Sequence, residues 1–216
     1  MRELIIPPDP KLNISREFLK VFNQLRKSPE PGRIFELAQE PTKGELKFIV
    51  DNSNMEIAII RLNHDSWRML GGGTRREVLI PQKFEKASNI IAHSHLSLPN
   101  DSGETPALTD CFNLKAKEFV FHSDGITYFT GINKHPITGK SWTPKDFNEI
   151  KELDHLFVTT QLYRVNPDLK KDATNIPIEL AYGDFLRKLG VVIIQKTWQE
   201  LSDKNPLSQF PFNSVA

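Results

Sequence analysis

The chain has 216 residues, of which 38% are hydrophobic and 25% charged, and a formal net charge of +1. That balance describes a globular chain of one large domain, or a domain with decorations, and excludes a disordered segment. Near-neutrality gives no global field toward nucleic acid or an anionic membrane, and the single cysteine, Cys111, excludes an internal disulfide and a cysteine-rich zinc finger.

Residues 1–12 read as an extended, proline-rich arm. The apolar run Leu4-Ile5-Ile6 is broken by Pro7 and Pro8, too early for a signal segment. No stretch approaches the roughly 20 apolar residues of a membrane span. With the low cysteine use, this points to a cytoplasmic, non-exported protein. Asn13 or Ser15 caps a predicted helix through Arg26, whose Phe18, Leu19, Phe22 and Leu25 share one face. Pro29, Pro31 and Gly32 end it. Residues 33–39 are expected to form a short second helical turn.

Leu46 to Val50 alternates like a half-buried strand, opened by Glu45. Asp51 to Asn54 has turn chemistry, and Met55 to Leu62 reads as a returning strand, so 45–62 is predicted as a hairpin. Trp67, Met69 and Leu70 lead into Gly71-Gly72-Gly73. Residues 77–80 are a short strand or extended segment, and Pro81 begins a helix-like piece with Phe84 and Ala87. Residues 89–95 form an apolar strand. Residues 96–106 are a polar loop, 107–117 a helix and 118–121 a strand. Ser123-Asp124-Gly125 is a tight turn, and 126–130 the strand returning from it. Residues 145–164 read as a helix started by Pro144, 165–177 as a polar linker, and 178–201 as a helix or a helix plus a strand. The tail to Ala216 is expected to be loose. Helices and mostly antiparallel strands are intermixed, which makes the class α+β.

One stretch carries chemistry. The strand 89–95 ends His93-Ser94-His95. Alternate residues of a strand share a face, so both imidazoles project to one side, within reach of one ion. Asp110 follows fifteen residues later. Two imidazoles and a carboxylate make a three-ligand set for Zn²⁺ with the fourth position left for water, the usual plan of a catalytic zinc site. Other constellations read as structure. Cys111 points about 100° away from Asp110 along a helix and reads as a small buried residue rather than a nucleophile. His64-Asp65-Ser66 is a turn, since adjacent residues cannot build a triad. The glycine run lacks a following Gly-Lys-Ser/Thr and is no phosphate loop. His122 and His135 lie near turns and are expected to be exposed.

The stretch 71–130 resembles the JAB/MPN (JAMM) metallopeptidase superfamily, most nearly its bacterial RadC-like branch. The resemblance rests on Gly73-Thr74, Val78-Leu79-Ile80-Pro81, Phe84 and Ala87, Ile90-Ile91-Ala92, His93-Ser94-His95 and Thr105-Pro106-Ala107-Leu108-Thr109-Asp110. Three positions depart from it. Leu96 stands where the family has proline, the loop to the aspartate is longer, and Ala107 replaces the serine associated with the oxyanion. The resemblance implies a mixed sheet flanked by helices, of the cytidine-deaminase-like kind. It implies Zn²⁺ held by His93, His95 and Asp110, and a general base from a glutamate earlier in the chain. Glu45 is the first choice for that base, Glu40 the second and Glu56 the third. Thr105, with Ser102 and Thr109 as neighbours, is the candidate to replace the missing serine as oxyanion donor. Asp101 and Glu104 could orient the ligand imidazoles.

The implied activity is a zinc-dependent hydrolase cleaving a peptide or an isopeptide to a ubiquitin-like protein, with the metal lowering the pKa of its water. The domain division expected is an arm and helix over 1–32, the metallopeptidase core over 33–140, and a helical extension over 141–216 packed on the core. Two other readings stand beside the enzyme. One is an inactive MPN-type scaffold that binds a partner through the extension. The other is a RadC-like accessory of DNA repair. The oligomeric state is not legible in the sequence.

Overall fold

The structure is a computed structural model, and it describes residues 13–27, 32–63, 66–71, 78–95, 117–130, 186–187 and 191–210. Helix α1 (Arg16–Lys27) buries Phe18, Phe22 and Leu25, as their spacing predicts. Ser15 is its cap: the hydroxyl accepts from the backbone N–H of Phe18 at 3.2 Å. The next element is β1 (Arg33–Leu37), where the sequence reading had a helical turn. It is an edge strand with one buried residue, Leu37. Its pattern is too polar to announce a strand, and pairing with a neighbour makes it one.

The larger correction is α2 (Lys43–Asn52), a helix where a strand was expected. The cause is local. Thr42 accepts from the N–H of Glu45, and the Glu45 carboxylate accepts from the N–H of Thr42, which is a complete capping box. Glu45, Leu46, Phe48 and Ile49 then bury the inner face. A five-residue apolar run is compatible with either period, and the cap decides it.

The remaining elements are β2 (Ala58–Leu62), β3 (Trp67–Gly71), α3 (Gln82–Glu85), β4 (Ser88–Ser94), β5 (Lys117–Phe121), β6 (Gly125–Thr130), β7 (Val192–Thr197) and a 3₁₀ turn (Leu207–Gln209). The strands form one sheet in the order β1-β3-β2-β4-β5-β6-β7. All neighbours are antiparallel except β4 and β5, which run parallel. The described residues are therefore α+β, with a mixed seven-stranded sheet. None of their helices is long and apolar enough to cross a membrane.

Strand alternation sorts the side chains onto two faces. On one face Ile57, Ile59, Ile90, Ala92, Phe119, Phe121 and Tyr128 pack with α1 and α2. On the other, Ala58, Ile60, Leu70 and Ile91 pack with Val78, Ile80 and Phe84. The C-terminal segment joins the first of these cores. Leu201, Leu207 and Phe210 are buried there, and the Phe210 ring lies 5.4 Å from Phe119 and 5.8 Å from Tyr128, centroid to centroid. Glu40 fixes this segment. Its Oε1 accepts from the N–H groups of Leu207 (2.8 Å) and Ser208 (3.3 Å), and its Oε2 from the Ser208 hydroxyl (2.7 Å). The expectation of a loose tail after Leu201 is thus corrected for residues 202–210. β7 pairs with β6 along its length and completes the sheet. Of the helix predicted over 107–117 only Lys117 lies within the described residues, and it opens β5; the predicted helix over 145–164 and the linker over 165–177 lie outside them.

Candidate metal centre

The two histidines sit at the end of β4, in the middle of the sheet. His93 pairs with Ala58 of β2 on one side and with Val120 of β5 on the other. It is 8% exposed. His95 follows the last strand residue, and its backbone N–H donates to the Phe121 carbonyl at 3.0 Å. That bond keeps His95 extended, so the i, i+2 relation holds and the rings converge. Their Nε2 atoms are 3.1 Å apart and the ring centroids 4.9 Å, with the planes inclined at 53°. Two nitrogens on a tetrahedral zinc with bonds of about 2.0–2.1 Å stand about 3.3 Å from each other. The observed separation differs from that by a small ring rotation. Burial lowers the His93 pKa to about 4, so the imidazole is neutral at pH 7, the form that binds a metal. Zinc therefore fits this donor pair. Among the described residues no third His, Cys, Asp or Glu joins the two rings in a cluster. Asp110, the third ligand expected from the sequence, lies outside the described residues, as do Thr105, Ser102, Thr109, Ala107 and Leu96.

The three glutamates considered as bases are placed differently. Glu45 is 2% exposed and belongs to the helical layer. Its Oε1 accepts from the N–H (3.0 Å) and hydroxyl (2.7 Å) of Ser15, and its Oε2 from the N–H of Thr42 (2.9 Å). It ties α1 to the start of α2, on the face of the sheet opposite the histidines. Glu40 caps the 3₁₀ turn, and burial raises its pKa against the lowering effect of the bonds from Ser208 and Leu207. Glu56 directly precedes the segment that pairs with the end of β4. The β2–β4 register pairs Ala58 with His93, and the Ser94 N–H donates to the Ile57 carbonyl at 2.9 Å. Continued past its last pair, that register runs toward Glu56 and His95. Its neighbours Met55 and Ile57 pack into the core under the helices, so the Glu56 side chain belongs to the histidine face. It is 7% exposed.

His122 was expected on the surface and is fully buried. Its Nδ1 accepts from the Asp124 N–H (3.3 Å) and its Nε2 lies 3.1 Å from the Thr127 hydroxyl. The amide donor assigns the proton to Nε2, which donates to Thr127. Burial, with the charge of nearby His95 as a smaller contribution, outweighs Asp124 and lowers its pKa to about 4. Two sequence signals would have found this arrangement. The pattern Thr42-x-x-Glu45 claims Glu45 for a helix start, and Glu56 directly precedes the apolar strand that flanks His93-Ser94-His95.

The chain matches no protein-family model, no curated protein and no solved structure.

Proposed function

We propose that the protein is a zinc-dependent hydrolase of the JAMM type, cleaving a peptide or isopeptide amide bond, with His93, His95 and Asp110 as metal ligands and Glu56 as the general base. The observation that carries the reading is the paired Nε2 atoms 3.1 Å apart; the buried Glu56, two residues before the adjoining strand β2, supports the choice of base. The sequence resemblance over residues 71–130 supports it independently. A zinc ion held there supplies Lewis-acid polarisation of the scissile carbonyl and acidifies a water. His93 contributes a neutral imidazole from a buried strand position. His95 contributes the second, held by the backbone of β5. Glu56 takes a proton from the attacking water and returns it to the leaving amine. Glu45, the first choice from sequence, is reassigned to the helix cap. Thr105 keeps its proposed role as oxyanion donor on sequence grounds.

Metal analysis after reconstitution with zinc tests the reading. About one zinc per chain is expected, lost in His95→Ala and in Asp110→Ala. Glu56→Gln retains the zinc and loses hydrolysis of a pooled fluorogenic peptide and isopeptide probe set. A chain that binds no zinc, or a fully active Glu56→Gln, overturns it.

A further inference from the structure

The residue between the two histidines has its own task. Ser94 is fully buried and faces the opposite side of the sheet from His93 and His95. Its backbone N–H donates to the Ile57 carbonyl at 2.9 Å, as in an ordinary antiparallel rung. The return bond of that rung is made differently. The Ile57 N–H donates to the Ser94 hydroxyl oxygen, also at 2.9 Å. One residue on, His95 donates to Phe121 of β5. That alternation is the one expected of a strand with a neighbour on each side, so the unusual feature is the serine hydroxyl, which closes the β2 side of the rung.

We infer that Ser94 is a positioning residue: its hydroxyl fixes Ile57 at the start of β2 and with it the neighbouring Glu56, on the face of the sheet that carries His93 and His95. This rests on the proposed function only for the use made of Glu56. The bond to Ile57 stands without it. Ile57 is fully buried, so its N–H has no recourse to water once the hydroxyl is removed, and the stretch 55–57 then shifts to find another acceptor. A threonine keeps the oxygen and suits a strand. An alanine does not keep it.

Amide exchange in the metal-free full chain tests the latch. Ser94→Ala is expected to accelerate exchange at Ile57 at least tenfold, with Ile59 and Ala92 unchanged, while Ser94→Thr keeps the parental rate. Unchanged exchange at Ile57 in Ser94→Ala overturns it, and so does a uniform acceleration across β2 and β4. The positioning role is read in the zinc-loaded chain with the same peptide probes. Ser94→Ala is expected to retain one zinc and to lower kcat at least tenfold with KM unchanged. It adds no further loss in a Glu56→Gln background, measured on the residual rate. Equal losses in both backgrounds, or loss of zinc, overturn the positioning role. A chain that loads zinc and turns over no probe, yet shows the expected exchange at Ile57, counts against the hydrolase and supports the latch.

Discussion

Replacing Glu45 with alanine separates a structural carboxylate from a catalytic one. The side chain accepts three hydrogen bonds, from the Ser15 N–H, the Ser15 hydroxyl and the Thr42 N–H, at 2.7 to 3.0 Å. Thr42 is the cap of α2, and Ser15 the cap of α1, so one carboxylate steadies the first turns of two helices. Losing a cap interaction costs about 1 kcal/mol. Leaving a buried donor without its acceptor costs about 1–3 kcal/mol more. Glu45→Ala should therefore destabilise the protein by about 2–4 kcal/mol. In a chain of this size that corresponds to a fall in Tm of about 5–15 °C. Glu45→Gln should cost less, roughly half, since its amide can satisfy one side of the box and opposes an N–H on the other. Urea unfolding followed by circular dichroism reads both, with the midpoint moving at constant m. Zinc stoichiometry should not change in either variant. An Ala variant with the parental midpoint would refute the capping role. Loss of hydrolysis at parental stability would return the base assignment to Glu45.

Two further outcomes follow from the packing and the buried imidazole. A Cβ at Gly125 would collide with the Lys196 carbonyl and the Thr197 Cα across the β6–β7 rung. Gly125→Ala should cost about 2–3 kcal/mol or more, and amide exchange should show protection lost first at residues 192–197. His122 makes stability depend on pH. Its folded pKa, about 4, lies below the unfolded value of 6.5, so the unfolded state binds the proton first. Its contribution is complete above about pH 6.5 and is lost as pH falls toward 4, up to about 3 kcal/mol in all. Unfolding measured from pH 7 to 4 should show a slope that flattens in His122→Gln. An identical slope would show that His122 is not the responsible group.

What the sequence disclosed and what it hid differ by range of interaction. The α1 face, the β4 strand and the Ser123–Gly125 turn depend on residues close in sequence, and all were readable. The strand at 33–37 was hidden because it is an edge strand, formed by pairing with Trp67–Gly71 rather than by its own pattern. The ordered segment 202–210 was hidden because Glu40 holds it from 167 and 168 residues away. Glu45 was misplaced for the opposite reason: a local cap was present, and an apolar run that also fits a strand outweighed it. At the candidate metal centre, the His-x-His spacing was sufficient to bring the two rings together. The separate surroundings of Glu40, Glu45 and Glu56 depend on long-range pairing, which no local pattern encodes.

The closure of Phe210 over Phe119 and Tyr128 has a consequence for synthesis. Those two rings belong to β5 and β6, made long before residue 210 leaves the ribosome. Until then the core beneath α1 and α2 lacks its last wall, and β6 presents a bare edge where β7 will lie. A nascent chain in that state is a substrate for chaperones and a template for strand addition by other chains. The sheet is therefore complete only once residues 192–197 have been made, and a ribosome that stalls before residue 192 leaves β6 without β7.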